Sequence, residues 1–198
     1  MDKHIDSVEY YNKNAEEFYN GSINADMSSS RERFLKYIPD GGRILDAGCG
    51  SGRDSKAFIQ LGYSVVAFDA SREMCKMASE LIGQEVWQMR FDEMSFDDEF
   101  DGIWACASLL HVSQNEMQSV LAKIKKALVQ NGVLYASFKY GDGEIERNDR
   151  VFTNYTEDSV KSLLEDAGFE IKECELSHDS RPCRENEMWV NVIGINRF

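Results

Sequence analysis

The stretch RILDAGCGSGRDS, residues 43–55, decides the fold. A short apolar run ends at Asp46, glycines follow at 48, 50 and 52, and a polar segment then begins. Glycine is needed where φ is positive or where another group must touch the backbone. Three of them in five residues suit a ligand lying across the turn. In an open α/β sheet such a loop sits beyond the carboxyl ends of the strands, where ligands bind.

Outward from this loop one rhythm repeats: apolar strand, turn, helix, glycine. RILDA (43–47) is a strand, followed by a helix over 54–61 that Gly62 closes. YSVVAFD (63–69) is a second strand. Ser71 caps a helix with Met74, Met77, Ala78 and Leu81 on one face, ended by Gly83. EVWQM (85–89) and FDGIWAC (100–106) are further strands. Ser113 and Glu116 form a capping-box pattern before a helix that buries Met117, Val120, Leu121, Ile124 and Leu128 and stops at Asn131-Gly132. VLYASF (133–138) is the fifth strand, and Thr156 caps a helix with Val160, Leu163 and Leu164 inward, ending at Gly168. This alternation predicts βαβ units, a parallel sheet and right-handed crossovers with helices on both faces. FEIKECEL (169–176) and EMWVNVIGI (187–195) follow without an intervening helix, so they pair antiparallel and leave a mixed edge.

Residues 1–42 stand outside the rhythm. Val8, Tyr11, Ala15 and Phe18 share one helical face, and a second helix starting near Ser28 carries Phe34 and Ile38. NGSINADMSSS (20–30) between them reads as a polar, mobile link. The chain is expected to form a single domain over 1–198, with a helical lid over 1–42 and a ligand-binding core over 43–198.

The 198 residues suffice for one domain with a core, and 42% hydrophobic residues exclude a disordered chain. The net charge of −13 repels phosphate backbones, which disfavours a nucleic-acid partner. Lys123, Lys125 and Lys126 form the one dense basic cluster, read as a solvated helix face. No apolar run approaches the roughly 18 residues that span a bilayer, and the N-terminus lacks a signal peptide's apolar centre. The expectation is a cytoplasmic protein without membrane contact. Cysteines at 49, 75, 106, 174 and 183 show no CxxC or Cys/His spacing, so free thiols and no metal site are expected.

Two features narrow the ligand. The spacing is G-x-G-x-G, and Arg53 stands where the G-x-G-x-x-G dinucleotide pattern has its third glycine. Asp46 precedes the loop directly. A carboxylate there opposes a phosphate and suits a cationic group. Asp69, 23 positions on, falls where an acid grips a ribose diol. A nucleoside with a cationic amino-acid tail satisfies both acids, and S-adenosylmethionine is such a molecule.

ILDAGCGSGRDS with VVAFDAS resembles the first two motifs of class I S-adenosylmethionine-dependent methyltransferases. FDGIWACASLLHV and IKKALVQNGVLYAS are similar to their later motifs, and the likeness covers roughly 8–176. RPCRENEMWVNVI (181–193) is similar to a bacterial subgroup labelled tellurite-resistance-like methyltransferases. The resemblance implies a Rossmann-like three-layer α/β/α sandwich with a seven-stranded mixed sheet, order 3-2-1-4-5-7-6, strand 7 antiparallel. It implies that residues 46–52, which include Asp46, Ala47, Gly48, Cys49, Gly50 and Gly52, pack against the methionine moiety. Asp69 would hold the ribose hydroxyls, and Ala70 and Met74 would flank the adenine. Many members carry Gly-Asp-Ala after the third strand, but this chain has Met89-Arg90-Phe91. Phe91, by backbone or ring, or Asp92 would then hold the adenine.

Cys49 reads as a small filler of the glycine loop, and Cys106 as a neighbour of the cofactor's amino-acid end acting through its backbone. His111 reads either as a general base at the cleft mouth or as a structural histidine. Tyr11 and Tyr19 either face the cofactor's carboxylate or sulfonium, which an aromatic ring attracts, or pack their helix. His4 and His178 are read as surface residues, Trp87 and Trp104 as core. Arg181 and Arg184 form either an acceptor clamp or a solvated loop. The expected activity is methyl transfer from S-adenosylmethionine to a small molecule by in-line displacement, leaving S-adenosylhomocysteine. A tRNA methyltransferase and a non-catalytic S-adenosylmethionine-binding protein are the alternatives.

Overall fold

The computed structural model describes residues 6–181 and 184–197. His4 and Cys183 lie outside them. Three helices lead: α1 (Ser7–Lys13), α2 (Ala15–Ser22) and α3 (Ser28–Leu35). The alternating part runs β1 (Arg43–Ala47), α4 (Arg53–Gln60), β2 (Ser64–Asp69), α5 (Arg72–Ile82), β3 (Trp87–Gln88), β4 (Phe100–Ala105), α6 (Gln114–Ala127) and β5 (Leu128–Lys139). A hairpin, β6 (Gly143–Arg147) and β7 (Arg150–Asn154), precedes α7 (Glu157–Asp166), β8 (Phe169–His178) and β9 (Met188–Asn196).

The main sheet has seven strands in the order β3-β2-β1-β4-β5-β9-β8. With the separate β6–β7 hairpin left out of the count, this is the expected 3-2-1-4-5-7-6. The last strand, β9, is antiparallel to both β5 and β8. The two faces follow the period of two along each strand. Ile44, Trp104, Val133 and Tyr135 face α3 and α4, where Phe34 and Phe58 are fully buried. Leu45, Ile103, Leu134 and Phe138 face the other way, against Leu121 and Ile124 of α6 and Val160 and Leu164 of α7. Trp104 and Tyr135 stack with centroids 3.9 Å apart.

Local signals act mostly as expected. The Ser71 side chain accepts from the Met74 N–H, and Gly83 closes α5 at φ 70°. Thr156 caps α7 by accepting from the Ser159 N–H. Several readings are corrected. The Ser113 hydroxyl donates to the Glu116 carboxylate at 2.6 Å instead of capping the α6 backbone. Trp87 is not core: it lies on the outermost strand, 42% exposed, stacked on Phe96. The lysine cluster does more than face water, since Lys123 and Lys125 donate to the Met94 and Gly168 carbonyls. The first helical face is broken at Asn14, whose side chain donates to the Tyr10 carbonyl and so competes with continuation of the helix. The link 20–30 is helical as far as Ser22 and again from Ser28. Among the described residues, no helix is long and apolar enough to cross a membrane.

Candidate active site

A cavity of about 850 Å³ opens at the carboxyl ends of β1, β2, β4 and β5. The glycine loop forms one side, and α1, α2 and the loop before α3 lie over it. The β6–β7 hairpin and the loop after β8 complete the wall.

The three loop glycines have different jobs, although all have positive φ. A Cβ on Gly48 would lie 2.5 Å from the Ser108 Cβ, and one on Gly52 would lie 3.0 Å from the Ala78 Cβ. Both are therefore packing glycines, one against the β4–α6 loop and one letting α4 meet α5. A Cβ on Gly50 would meet only the edge of the Phe18 ring, at 3.3 Å. Gly50 is thus the loop glycine least enclosed by neighbouring side chains, half-buried and covered only by Phe18 of α2.

Asp46 and Asp69 both line the cavity. Asp69 accepts from the Gly50 N–H at 2.9 Å with one oxygen and from the Ser71 N–H at 2.8 Å with the other. Burial raises its pKa against these bonds. One carboxylate therefore sets both the glycine loop and the start of α5, while its remaining lone pairs are available to a diol. Asp46 accepts from the Ser55 hydroxyl at 2.6 Å. Burial, with the nearby charge of Asp54, pushes it up to about 7. Such a carboxyl is poised to ionise when a cation arrives.

Spacing alone did not reveal the ion cluster beneath the loop. Asp54 accepts from Arg31 at 2.6 Å, from Arg53 at 2.6 Å and from the Trp104 indole at 3.1 Å. Burial opposes its ionisation, but the two guanidinium groups outweigh burial and hold the carboxyl below its ordinary range. Arg53 also donates to the Ser22 carbonyl at the end of α2. The cluster thus ties α2 and α3 to α4. A cue was legible in Arg53-Asp54, an ion pair at the first turn of a helix, but no spacing rule names Arg31 as its partner.

His111 ends the short turn Leu109–His111. Its Nδ1 is 2.7 Å from the Val151 carbonyl, and its Nε2 is 2.8 Å from the Tyr11 hydroxyl. A carbonyl only accepts, so Nδ1 carries the proton and Nε2 accepts from Tyr11. Burial, opposed by the Val151 bond and reinforced by the charges of Arg150 and Lys139, lowers the imidazole to about 4. Burial also raises the Tyr11 phenol. Val151 donates its N–H to Ser7, so α1, the hairpin and His111 form one hydrogen-bonded wall.

The remaining candidates divide. Cys49, Ala70, Met74, Phe91, Asp92 and Cys106 line the cavity. Phe91 packs edge-on to Phe68, and burial pushes the Cys49 and Cys106 thiols up, which makes them poor nucleophiles. Ala47, Gly52 and Tyr19 do not line it: Ala47 is buried in β1, Gly52 faces Ala78, and Tyr19 lies elsewhere on α2. Arg181 and Arg184 both reach the cavity wall, but Arg181 pairs with Asp179 and Arg184 lies 3.8 Å from Glu187. His178 is exposed. Among the described residues, no group of three His, Cys, Asp or Glu could hold a metal ion.

The family described as a methyltransferase domain matches residues 44–132, the stretch from β1 into β5. A protein of Staphylococcus carnosus named as an uncharacterized methyltransferase is 26% identical over 192 residues, covering 84% of this chain and 92% of its own. The cypemycin N-terminal methyltransferase of Streptomyces is 31% identical over 84 residues, covering 41% of this chain and 34% of its own. In fold, the chain is similar to the 1,6-didemethyltoxoflavin-N1-methyltransferase of Burkholderia thailandensis, whose crystal structure holds 1,6-didemethyltoxoflavin and S-adenosylhomocysteine. That likeness has a TM-score of 0.78 at 21% identity, covering 96% of this chain and 84% of the other. These relatives lend no support to the tellurite-resistance-like label.

Proposed function

Since the chain belongs to the class I S-adenosylmethionine-dependent methyltransferases, we propose that it methylates a small molecule held inside the cavity behind α1 and α2. One observation carries this reading. A single cavity of about 850 Å³ joins the two acids of the glycine loop to the Tyr11–His111 wall. That volume lies within the roughly 300–1,000 Å³ usual for small-molecule sites. The Burkholderia relative, with its bound 1,6-didemethyltoxoflavin, is an example of a small acceptor on the same fold.

The residues present fit the cofactor. Asp69 would hold the ribose hydroxyls, and Asp46 would face the ammonium group, whose charge would favour ionisation of a carboxyl that burial otherwise keeps protonated up to about pH 7. Ala70, Met74 and Phe91 would enclose the adenine. Gly48, Cys49, Gly50 and Cys106 would border the methionine end, and Tyr11 would present its ring toward the sulfonium. When bound, S-adenosylmethionine supplies a methyl group open to in-line displacement by a nucleophile. The protein's share is alignment and exclusion of water. His111 fixes the Tyr11 hydroxyl. It takes a proton only from an acceptor group that is itself acidic, because its own basicity is low. Residues 1–42 act as a lid on a single domain, and Arg181 and Arg184 line the acceptor's entry. A cytoplasmic setting belongs to the same proposal, supported by the unpaired Cys49, Cys75, Cys106 and Cys174.

The test is the fate of a labelled methyl group. The protein is incubated with methyl-labelled S-adenosylmethionine and, separately, the low-mass, RNA and protein fractions of a cell extract. Label is expected in the low-mass fraction. Efficient labelling of bulk tRNA or folded protein would overturn the reading.

A further inference from the structure

We propose that the acceptor carries a carboxylate-class anion and that Arg150, on the β6–β7 hairpin, binds it. This rests on the small-acceptor reading above and adds a chemical class to it. Seven Lys and Arg side chains line the cavity, and five of them are already paired with carboxylates: Arg53, Arg90, Lys139, Arg181 and Arg184. Among the described residues, Arg147 and Arg150 have no carboxylate within 4.0 Å; Arg147 is exposed to solvent, whereas Arg150 is half-buried. In a chain of net charge −13, a guanidinium left without a counter-ion inside a cavity calls for a partner.

Its geometry favours a planar anion. The guanidinium centre lies 4.1 Å from the Tyr10 ring centroid and 5.1 Å from that of Phe152. These rings pack against the group, and its terminal N–H groups, which also reach the Tyr11 hydroxyl, are the donors left for a ligand. The Nε atom is buried and has no hydrogen-bond partner. A buried donor without a partner leaves the guanidinium under-satisfied, and a carboxylate on its terminal N–H groups would supply charge-assisted bonds. Arg150 offers one unspent charge, which matches a monoanion better than a phosphate dianion.

The position is fixed rather than loose. The next residue, Val151, donates to Ser7 and accepts from His111, so Arg150 is held beside the Tyr11–His111 pair. An acceptor anchored there by its anion presents its other end to the cavity. The clamp suggested by sequence, Arg181 with Arg184, is in contrast already neutralised.

The experiment uses the full chain saturated with S-adenosylhomocysteine and measures binding of matched acids and amides: nicotinate and nicotinamide, anthranilate and anthranilamide, indole-3-acetate and indole-3-acetamide. At least one acid is expected to bind tenfold or more tightly than its amide. Arg150→Met should erase that preference, and Arg150→Lys should keep part of it, with S-adenosylhomocysteine affinity changed less than twofold in both. No acid preference in the intact protein, or a preference that survives Arg150→Met, overturns the proposal. So does a large loss of S-adenosylhomocysteine affinity in Arg150→Met, which would assign the arginine to the cofactor's own carboxylate. Methyl transfer is scored separately. Acid binding through Arg150 with label passing only to RNA or protein would sink the small-acceptor reading and leave the anion site standing.

Discussion

The Tyr11 hydroxyl donates to Nε2 of His111 at 2.8 Å, one hundred residues apart in the chain. With the Nδ1 proton committed to the Val151 carbonyl, the buried ring stays neutral and takes up a second proton only as pH falls to about 4. The consequence for the lid is that α1 docks on an uncharged acceptor.

Stability against pH should show two opposed titrations. The His111 pKa is lower folded than unfolded, so its contribution is present above about pH 6.5 and is lost as pH falls toward 4. The Asp46 pKa is higher folded than unfolded, so its contribution is present below about pH 4 and is lost as pH rises through 7. The two largely cancel between pH 4 and 6.5. In Asp46→Asn, urea unfolding should show stability climbing over that window by up to about 3 kcal/mol, at about 1.4 kcal/mol per pKa unit. A flat profile in this variant would contradict a neutral buried His111.

Cofactor binding should release a proton. Near pH 6 the Asp46 carboxyl is still protonated, and an ammonium group placed against it favours the ionised form. Calorimetry of S-adenosylhomocysteine binding in buffers of different ionisation heat should report close to one proton released at pH 6. Asp46→Asn should release none. Equal release in both proteins would remove Asp46 from the ammonium site.

The loop glycines should fail in different ways. Alanine at 48 or 50 must adopt positive φ, costing about 1–2 kcal/mol. Gly48→Ala also drives a Cβ into Ser108, whose hydroxyl is bonded to the Ala47 carbonyl, and overpacking adds roughly 1–3 kcal/mol. Gly50→Ala meets only the rim of Phe18. Thermal unfolding should therefore rank Gly48→Ala well below Gly50→Ala, while titration with S-adenosylhomocysteine shows a loss of affinity for the still-folded Gly50→Ala. The reverse ranking would show that Gly48, not Gly50, is the open backbone of the loop.

These contrasts mark how far the sequence could be read. Strand and helix alternation is written in local apolar periods, so the elements of the core were legible; the sheet order came only with the family resemblance, and the two acids with their places at the ends of the first two strands. The glycines were legible as a group, but which one meets a ligand depends on Ser108 and Ala78, remote in sequence. The hairpin was missed because GEIER and RVFTN are short, and β6 is exposed and charged, without a run of alternating apolar residues. Its turn did leave a trace: Asn148 and Asp149 both have positive φ, the signature of a two-residue hairpin connection. Trp87 misled because its apolar bulk reads as core, whereas its strand has a neighbour on one side only. Arg31, Arg53 and Asp54 meet only through tertiary packing, which no local period encodes.

The last expectation concerns the leading helices. Helix α1 is held by Ser7 on Val151, Tyr11 on His111 and Asn12 on Ser71, with Asp6 paired to Arg90. Helix α2 serves a different part of the cavity, since Phe18 covers Gly50 and the Ser22 carbonyl accepts from Arg53. Shortening the chain in two steps should separate them. A chain beginning at Ala15 loses the wall beside His111 and Arg150 but keeps the cover of the glycine loop. Its S-adenosylhomocysteine affinity should fall less than about tenfold, a change below roughly 1.4 kcal/mol. Its methyl transfer to the low-mass acceptor fraction should fall far more, because an open wall admits water and frees the acceptor. A chain beginning at Ser28 also loses Phe18 and the Ser22 acceptor, so cofactor affinity should drop by a further tenfold or more. Calorimetry and labelled methyl transfer, run on both chains, check the two steps. Full-rate methylation by the chain beginning at Ala15 would show that α1 is no part of a lid.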